Sequence, residues 1–358
     1  SALWGSDALS GVINITTRQA EPGTRGDVFM EGGSNGWQNF GASGAYGDER
    51  WNTSFSVNSL DTDGENISRQ GKEDDGYNNL TTNFGLGYRF SEDFRVDSNL
   101  RYSDSENDFD GTDFSTGLPA DSDNKTDVDQ LYGRVIARLA TLEGRWSHQL
   151  SYAITDTNNK NHSENTFAPT GSDVTEADAD VSVVAYQSSF LILEGHTVVG
   201  AIERQEEDFK QRGPVDFGDP NRDESMDTDS LVFEYRGELT DSISVLAGAR
   251  HDDNSEFDDK TTGRLSAAWL VLDGRTKLRA SYGTGIKNPT FTERYGYFND
   301  FVGNPDLKPE QSTGWDAGVD QRLLGDRLSL SLTWFQEELQ DEINGFVYDP
   351  ATGGFTAE

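Results

Sequence analysis

Apolar and polar residues alternate along most of the chain. From Leu142 the even positions read Leu142, Gly144, Trp146, His148, Leu150, Tyr152 and Ile154, and the odd ones Glu143, Arg145, Ser147, Gln149, Ser151, Ala153 and Thr155. A period of two predicts a strand with one apolar and one wet face. The pattern recurs in Phe94-Val96-Ser98-Leu100-Tyr102, Leu231-Phe233-Tyr235-Gly237-Leu239, Ile243-Val245-Ala247-Ala249 and Leu328-Leu330-Leu332-Trp334. Shorter versions sit at Trp51-Thr53-Phe55-Val57, Phe84-Leu86-Tyr88-Phe90 and Trp315-Ala317-Val319. About sixteen candidate strands of roughly ten residues result, the length a tilted strand needs to cross a bilayer. Strands of a soluble sandwich run nearer five or six.

The connections alternate as well. Gly47 to Arg50, Ser91 to Asp93, Thr141 to Gly144, Glu194-Gly195, Thr240 to Ser242, Asp273-Gly274 and Gly325-Asp326 read as tight turns. Between them lie polar stretches read as long loops: Asp61 to Asn79, Asp104 to Asp129, Asp156 to Asp180, Glu206 to Asp229 and Lys287 to Gln311. Short turns at one end and long loops at the other are expected of an outer-membrane barrel; a soluble meander has no reason to keep them apart.

Composition narrows the choice. Hydrophobic residues make up 33% of the 358, well below an ordinary soluble domain, while 38 glycines and 11% aromatics argue against disorder. A barrel with a polar interior resolves this, because only its outward residues need be apolar. The net charge of −35 and the lack of a basic stripe make nucleic acid an unsuitable partner. No apolar run of helix-spanning length occurs; the most apolar stretch, Leu265 to Leu272, is too short. There is no cysteine, hence no disulfide framework and no thiolate metal site. No GxSxG, HExxH or phosphate loop appears, so no enzyme activity is expected.

Two words carry a family resemblance. SALWGSDALSGVINITTR (Ser1 to Arg18) joins a glycine-bracketed turn at Ser6-Asp7 to a β-branched strand, Val12 to Thr17. It resembles the end of the plug domain of TonB-dependent outer-membrane receptors, with Trp4 where that family usually has Tyr and Ser10 where it has Gly. Later, SYGTGIKNP (Ser281 to Pro289) ends a strand and GNPDLKPEQS (Gly303 to Ser312) precedes the next; the pair is similar to the barrel signature of the same family, most of all its vitamin B12 branch. Residues 1–20 are accordingly read as the end of a plug and 21–358 as an all-β, antiparallel transmembrane barrel.

The resemblance implies energy-coupled import of a scarce nutrient across the outer membrane of a Gram-negative bacterium, with a plug inside a barrel of about twenty-two strands. Partners would be the periplasmic TonB protein, the small-molecule nutrient and outer-membrane lipid. On this reading the chain lacks most of the plug with its TonB-contacting box, stops some six strands early, and should neither transport nor stay soluble by itself.

The most chemical-looking stretch is Asp104 to Asp129, with eight Asp and one Glu against a single Lys. Glu106, Asp108, Asp110 and Gly111 match the opening positions of an EF-hand loop, but Gly117 stands where the bidentate Glu belongs, so an EF-hand is not expected. The B12-receptor resemblance implies instead a calcium site built from loop aspartates, with Asp104, Asp108, Asp110, Asp113, Asp121 and Asp123 as candidate ligands; a solvated acidic stretch is the plainer alternative. Arg294, Tyr295 and Tyr297, near Phe298 and Phe301, are candidate contacts for the nutrient. His148 lies on an apolar register, where a girdle position is expected. Cobalamin or a related corrinoid leads as ligand because Arg294 is the lone arginine between the two later words, whereas ferric siderophores are often anionic. A siderophore receptor, an outer-membrane enzyme and a surface adhesin are the alternatives.

Overall fold

The computed structural model describes residues 20–68, 71, 74–113, 116–164, 172–215, 219–298, 301–350 and 353–358. The plug-like word Ser1 to Arg18 lies outside them. The strands are β1 (Gly23–Gly32), β2 (Gln38–Gly47), β3 (Trp51–Thr62), β4 (Tyr77–Arg89), β5 (Phe94–Asp113), β6 (Leu118–Thr141), β7 (Trp146–Glu164), β8 (Ser172–Leu193), β9 (His196–Arg212), β10 (Arg222–Thr240), β11 (Ile243–Asn254), β12 (Lys260–Val271) and β13 (Thr276–Lys287). Helix α1 (Phe291–Tyr295) and the short β14 (Tyr297–Phe298) and β15 (Phe301–Val302) follow, then β16 (Glu310–Leu323), β17 (Leu328–Gln340), β18 (Val347–Asp349) and β19 (Gly354–Thr356). Fifteen strands form one antiparallel meander in the order β1 to β13, β16, β17; the four short strands form a second sheet.

Alternation places the apolar residues on the outside. On β7, Leu150 and Tyr152 are 54% and 50% exposed while Ser151 between them is buried. On β10, Leu231 and Phe233 are 62% and 55% exposed and Glu234 is 4% exposed. Large apolar side chains turned outward over serine, glutamate and arginine are the reverse of a soluble core, and they suit a wall whose outer solvent is lipid. The exposed surface, 22502 Å², compares with about 14,000 Å² for a compact soluble chain of this mass. Register builds the outer band: Phe55 faces Phe84, Phe84 faces Leu100, Leu100 faces Gly133 and Gly133 faces Ile154. Gly133 leaves the room in which Ile154 and Leu100 pack across it. His148 sits in this band with its Nδ1 2.7 Å from the Tyr186 hydroxyl and its ring against Trp146.

The tight turns are where the sequence places them. At Leu142, Glu143 and Gly144 three successive residues take positive φ, and Leu272, Asp273 and Gly274 repeat this. The long loops need correction. Asp104 to Asp129 is largely two paired strands, and β7–β8 and β9–β10 likewise run through Asp156 to Asp180 and Glu206 to Asp229. These strands reach 17 to 24 residues instead of ten. Above the apolar band the outer face turns polar, so the hydrophobic alternation ends while the hydrogen-bonded ladder continues.

Candidate functional site

Two features lie at the end opposite the tight turns. The first is where the β3–β4 connection, residues 63–76, lies against the β5–β6 hairpin. The Asp108 N–H donates to the Gly76 carbonyl at 2.9 Å. A register shift between Phe109 and Gly111 leaves Asp110 outside the regular pairing, its Oδ1 accepting from the Ser122 N–H at 3.3 Å. Asp75 lies close enough to Asp110 and Asp121 to feel both charges. Burial first, then Asp110, raises the Asp75 carboxyl above the usual carboxylate range. Asp108 is raised too, by burial and then by Glu106, against the pull of Lys125. Asn66 and Asp121 both crowd the α-carbon of Gly71, where a side chain would collide with them.

Three oxygens in these segments, Asp75 Oδ2, Asp110 Oδ2 and Asn66 Oδ1, are buried without a hydrogen-bond partner. Orphaned hard oxygens beside carboxylates of raised pKa are the donor set a calcium ion takes. Among the described residues, however, no three His, Asp or Glu side chains converge closely enough to hold a metal by themselves. Of the candidate ligands, Asp110 and Asp121 lie near Asp75, whereas the charges acting on Asp108 are those of Glu106, Lys125, Asp123 and Asp127. Asp104 pairs with Asp129, six positions and roughly 20 Å of strand from Asp110. Asp113 closes the hairpin, its Oδ1 taking the Thr116 N–H at 3.2 Å. Sequence reasoning missed Asn66 and Asp75, which sit in a different connection; only the β4–β5 pairing brings them over.

The second feature is the β13–β16 connection, which carries a helix the sequence reading omitted. Its signal was a capping box: the Thr290 side chain accepts from the Glu293 N–H at 3.2 Å while Glu293 takes the Thr290 N–H at 2.7 Å. The connection folds onto the inner face of β9 to β11. Phe291 stacks on Phe209 at 5.5 Å, and the Gln211 amide clamps the Tyr297 main chain, donating to its carbonyl at 2.6 Å.

Arg294 is 8% exposed, reaching Glu256 at 3.3 Å with its guanidinium 4.8 Å from the Phe257 ring and 4.7 Å from the Tyr295 ring. It pins the loop to the β11–β12 connection instead of offering a free cation. Burial raises the Tyr295 hydroxyl against the opposing charge of Arg294, with Glu256 and Glu224 adding to the rise. Below lies a second internally neutralised cation: Arg250 donates to Asp252 at 2.7 Å, to Glu203 at 2.8 Å and to Ser230 at 2.6 Å. Both of these arginines are thus held by carboxylates, although the buried Arg294 Nε has no hydrogen-bond partner.

The family model "TonB dependent receptor-like, beta-barrel" matches residues 19–356. The chain belongs to this family. A curated relative, "Vitamin B12 transporter BtuB" of Photobacterium profundum, is 26% identical over 351 residues, covering 96% of this chain and 53% of that protein. The siderophore receptor PirA from Acinetobacter baumannii superposes with a TM-score of 0.75 at 18% identity, covering 100% of this chain and 60% of PirA. A ferric enterobactin receptor mutant (PfeA) from Pseudomonas aeruginosa, in complex with enterobactin, gives 0.77 at 17% identity, covering 100% of this chain and 61% of its own. The chain thus spans between half and two thirds of the length of these relatives, and the likeness to the solved structures bears on the fold alone.

Proposed function

We propose that this chain is the barrel wall of an outer-membrane receptor that binds cobalamin or a related corrinoid and imports it in a step driven by the periplasmic TonB protein. The observation that carries the ligand choice is the state of the mouth arginines. Arg294 and Arg250 are committed to Glu256, Asp252 and Glu203. A negatively charged ferric siderophore would find neither of these two cations unpaired, whereas an amide-rich, uncharged ligand would find acceptors and rings. The relation to a B12 transporter supports the same reading.

The reading includes calcium, with the orphaned oxygens of Asp75, Asp110 and the Asn66 amide as its donors. Bound there, calcium would supply positive charge that ties the β3–β4 connection to the β5–β6 hairpin beside the mouth. The test is binding of cyanocobalamin, against ferric enterobactin, to the receptor folded in detergent with calcium or with chelator. Nanomolar to micromolar cobalamin binding that weakens at least tenfold on chelation, and no longer responds to calcium in Asp110→Asn, is expected. Preference for the ferric complex would overturn the ligand, and cobalamin binding indifferent to chelation would overturn the metal.

A further inference from the structure

At the tight-turn end one four-residue word recurs: Leu142-Glu143-Gly144-Arg145, Leu272-Asp273-Gly274-Arg275 and Leu324-Gly325-Asp326-Arg327, with Leu193-Glu194-Gly195-His196 as a variant ending in histidine. The first three close the β6–β7, β12–β13 and β16–β17 hairpins, and the variant closes β8–β9. A tight turn has a use for the glycine and the acidic residue, but turn chemistry does not ask for the leucine. Leu142, Leu272 and Leu324 stand at φ of 52°, 51° and 53°, left-handed backbone that asparagine or glycine takes up more readily. They are also 60%, 67% and 76% exposed, so they gain little packing within the chain.

Single exposed leucines are ordinary on a protein surface; the same leucine three residues before the same cation, in turn after turn, is not. The turns also come together in pairs. The Leu191 N–H donates to the Arg145 carbonyl at 2.8 Å, which sets the end of β8 beside the β6–β7 turn, and the Arg322 N–H donates to the Arg275 carbonyl at 2.8 Å, which joins the β12–β13 and β16–β17 turns. The Arg145 guanidinium lies 5.8 Å from the centre of the Phe190 ring, and Phe190 stands opposite Trp146 on the apolar outer side of the wall. Arg275 is held loosely, 3.9 Å from an Asp273 carboxylate that is 96% exposed. Arg327 makes no ion pair among the described residues.

We infer that these turns form a docking surface for anionic phospholipid in the membrane leaflet at the tight-turn end. Short turns of an outer-membrane barrel face the periplasm, so the occupant is the lipid of the inner leaflet. The leucines continue the apolar outer band beyond Trp146 and Trp269 to the boundary between headgroups and acyl chains, where an exposed apolar side chain is stabilised instead of penalised. The arginines three positions on supply guanidinium forks to the lipid phosphates. A chain of net charge −35 is otherwise repelled by an anionic leaflet, and the word places cations where that repulsion acts. The inference rests on the placement of the barrel in the outer membrane and is independent of which nutrient it imports.

Native mass spectrometry of the detergent-folded receptor, with dioleoylphosphatidylglycerol against dioleoylphosphatidylcholine and no nutrient present, tests it. Retention of the anionic lipid about tenfold above the zwitterionic one is expected. The combined variant Arg145→Gln, Arg275→Gln, Arg327→Gln should lose that preference, and Arg327→Gln alone, at a residue with no ion pair to lose, should reduce it about twofold. The combined variant Leu142→Asn, Leu272→Asn, Leu324→Asn separates lipid docking from a role in the turns. Asparagine suits the left-handed backbone, so thermal stability in detergent should hold or rise while retention of the anionic lipid falls. Arg204→Gln, on the outer face at the other end of the strands, should change neither. Equal retention of the two lipids by the parent, unchanged retention in the asparagine variant, or displacement of the lipid by an equal concentration of sn-glycerol 3-phosphate, which would mark a phosphate site with no lipid character, overturns the proposal.

Discussion

Strand β10 carries Leu231, Phe233 and Tyr235 in one half and Asp223, Asp227 and Asp229 in the other, all on the same face. In the first half that face is apolar and the opposite one holds Ser230, Val232 and Glu234, buried. In the second half that face is charged, Arg204 alone bonding Glu206 at 2.8 Å, Asp227 at 2.9 Å and Asp229 at 3.0 Å, while the opposite face holds Met226, buried. The ladder between β9 and β10 passes from one half to the other without a break. Backbone pairing therefore says nothing about where the membrane ends. The side chains do, and the two halves should respond to mutation in different ways.

The largest expected effect is on the inner face. Arg250→Ala would leave Glu203 and Asp252 facing each other in a buried site, and Asp252 Oδ2 is already without a partner. Breaking a buried charge network by removing one member costs about 3–5 kcal/mol. Urea titration of the receptor folded into vesicles should show a loss in that range, and Arg250→Lys should recover part of it. A loss below about 1 kcal/mol, the scale of an exposed ion pair, would mean that water reaches the network freely. The outer band comes next: Phe233→Arg places a cation toward lipid and should cost about 2–4 kcal/mol in the same assay. Glu206→Arg, on the same face in the charged half, should cost far less. Equal costs would mean that the apolar band has been placed at the wrong height.

This comparison also explains what could be read from the sequence. Alternation and tight turns were legible because one face of each lower half is apolar and the turns need residues such as Gly144 and Gly274 in positive φ. The upper halves were not, because residues like Asp104 to Asp113 are polar on both faces and lose the period of two. Acidic residues of that kind were read as a loop, and the capping box at Thr290 and Glu293 passed unnoticed inside the loop read as Lys287 to Gln311, one residue past the start of β16 at Glu310. The candidate ligands Asp108, Asp110 and Asp121 were visible as composition. Their neighbours Asn66 and Asp75 were not, since nothing local links them to the hairpin. Arg294 was singled out as a lone cation, but only the fold supplies Glu256 and Phe257 as its partners.

The smallest predicted effect tests the charged half alone. Asp180 on β8 stands directly opposite Asp156 on β7 and Asp208 on β9. Burial first, then Asp156, raises its carboxyl above the usual aspartate value, although Lys210 opposes the shift. A carboxyl raised in the folded state binds its proton more readily there than in the unfolded chain, so its charge is a penalty. That penalty is complete above the folded-state pKa, shrinks as pH falls through it, and is gone below the unfolded value. Asp180→Asn should therefore stabilise the receptor at pH 7 by a few tenths of a kcal/mol, the scale of an exposed cross-strand pair. The parent should close that gap as pH is lowered toward about 4, where an ordinary aspartate takes up its proton. Added salt should close it in the same way by screening Asp156 and Asp208. A variant less stable than the parent at pH 7 would show instead that attraction to Lys210 outweighs the two aspartates, and that the charged half is held by ion pairs in spite of its excess of acid.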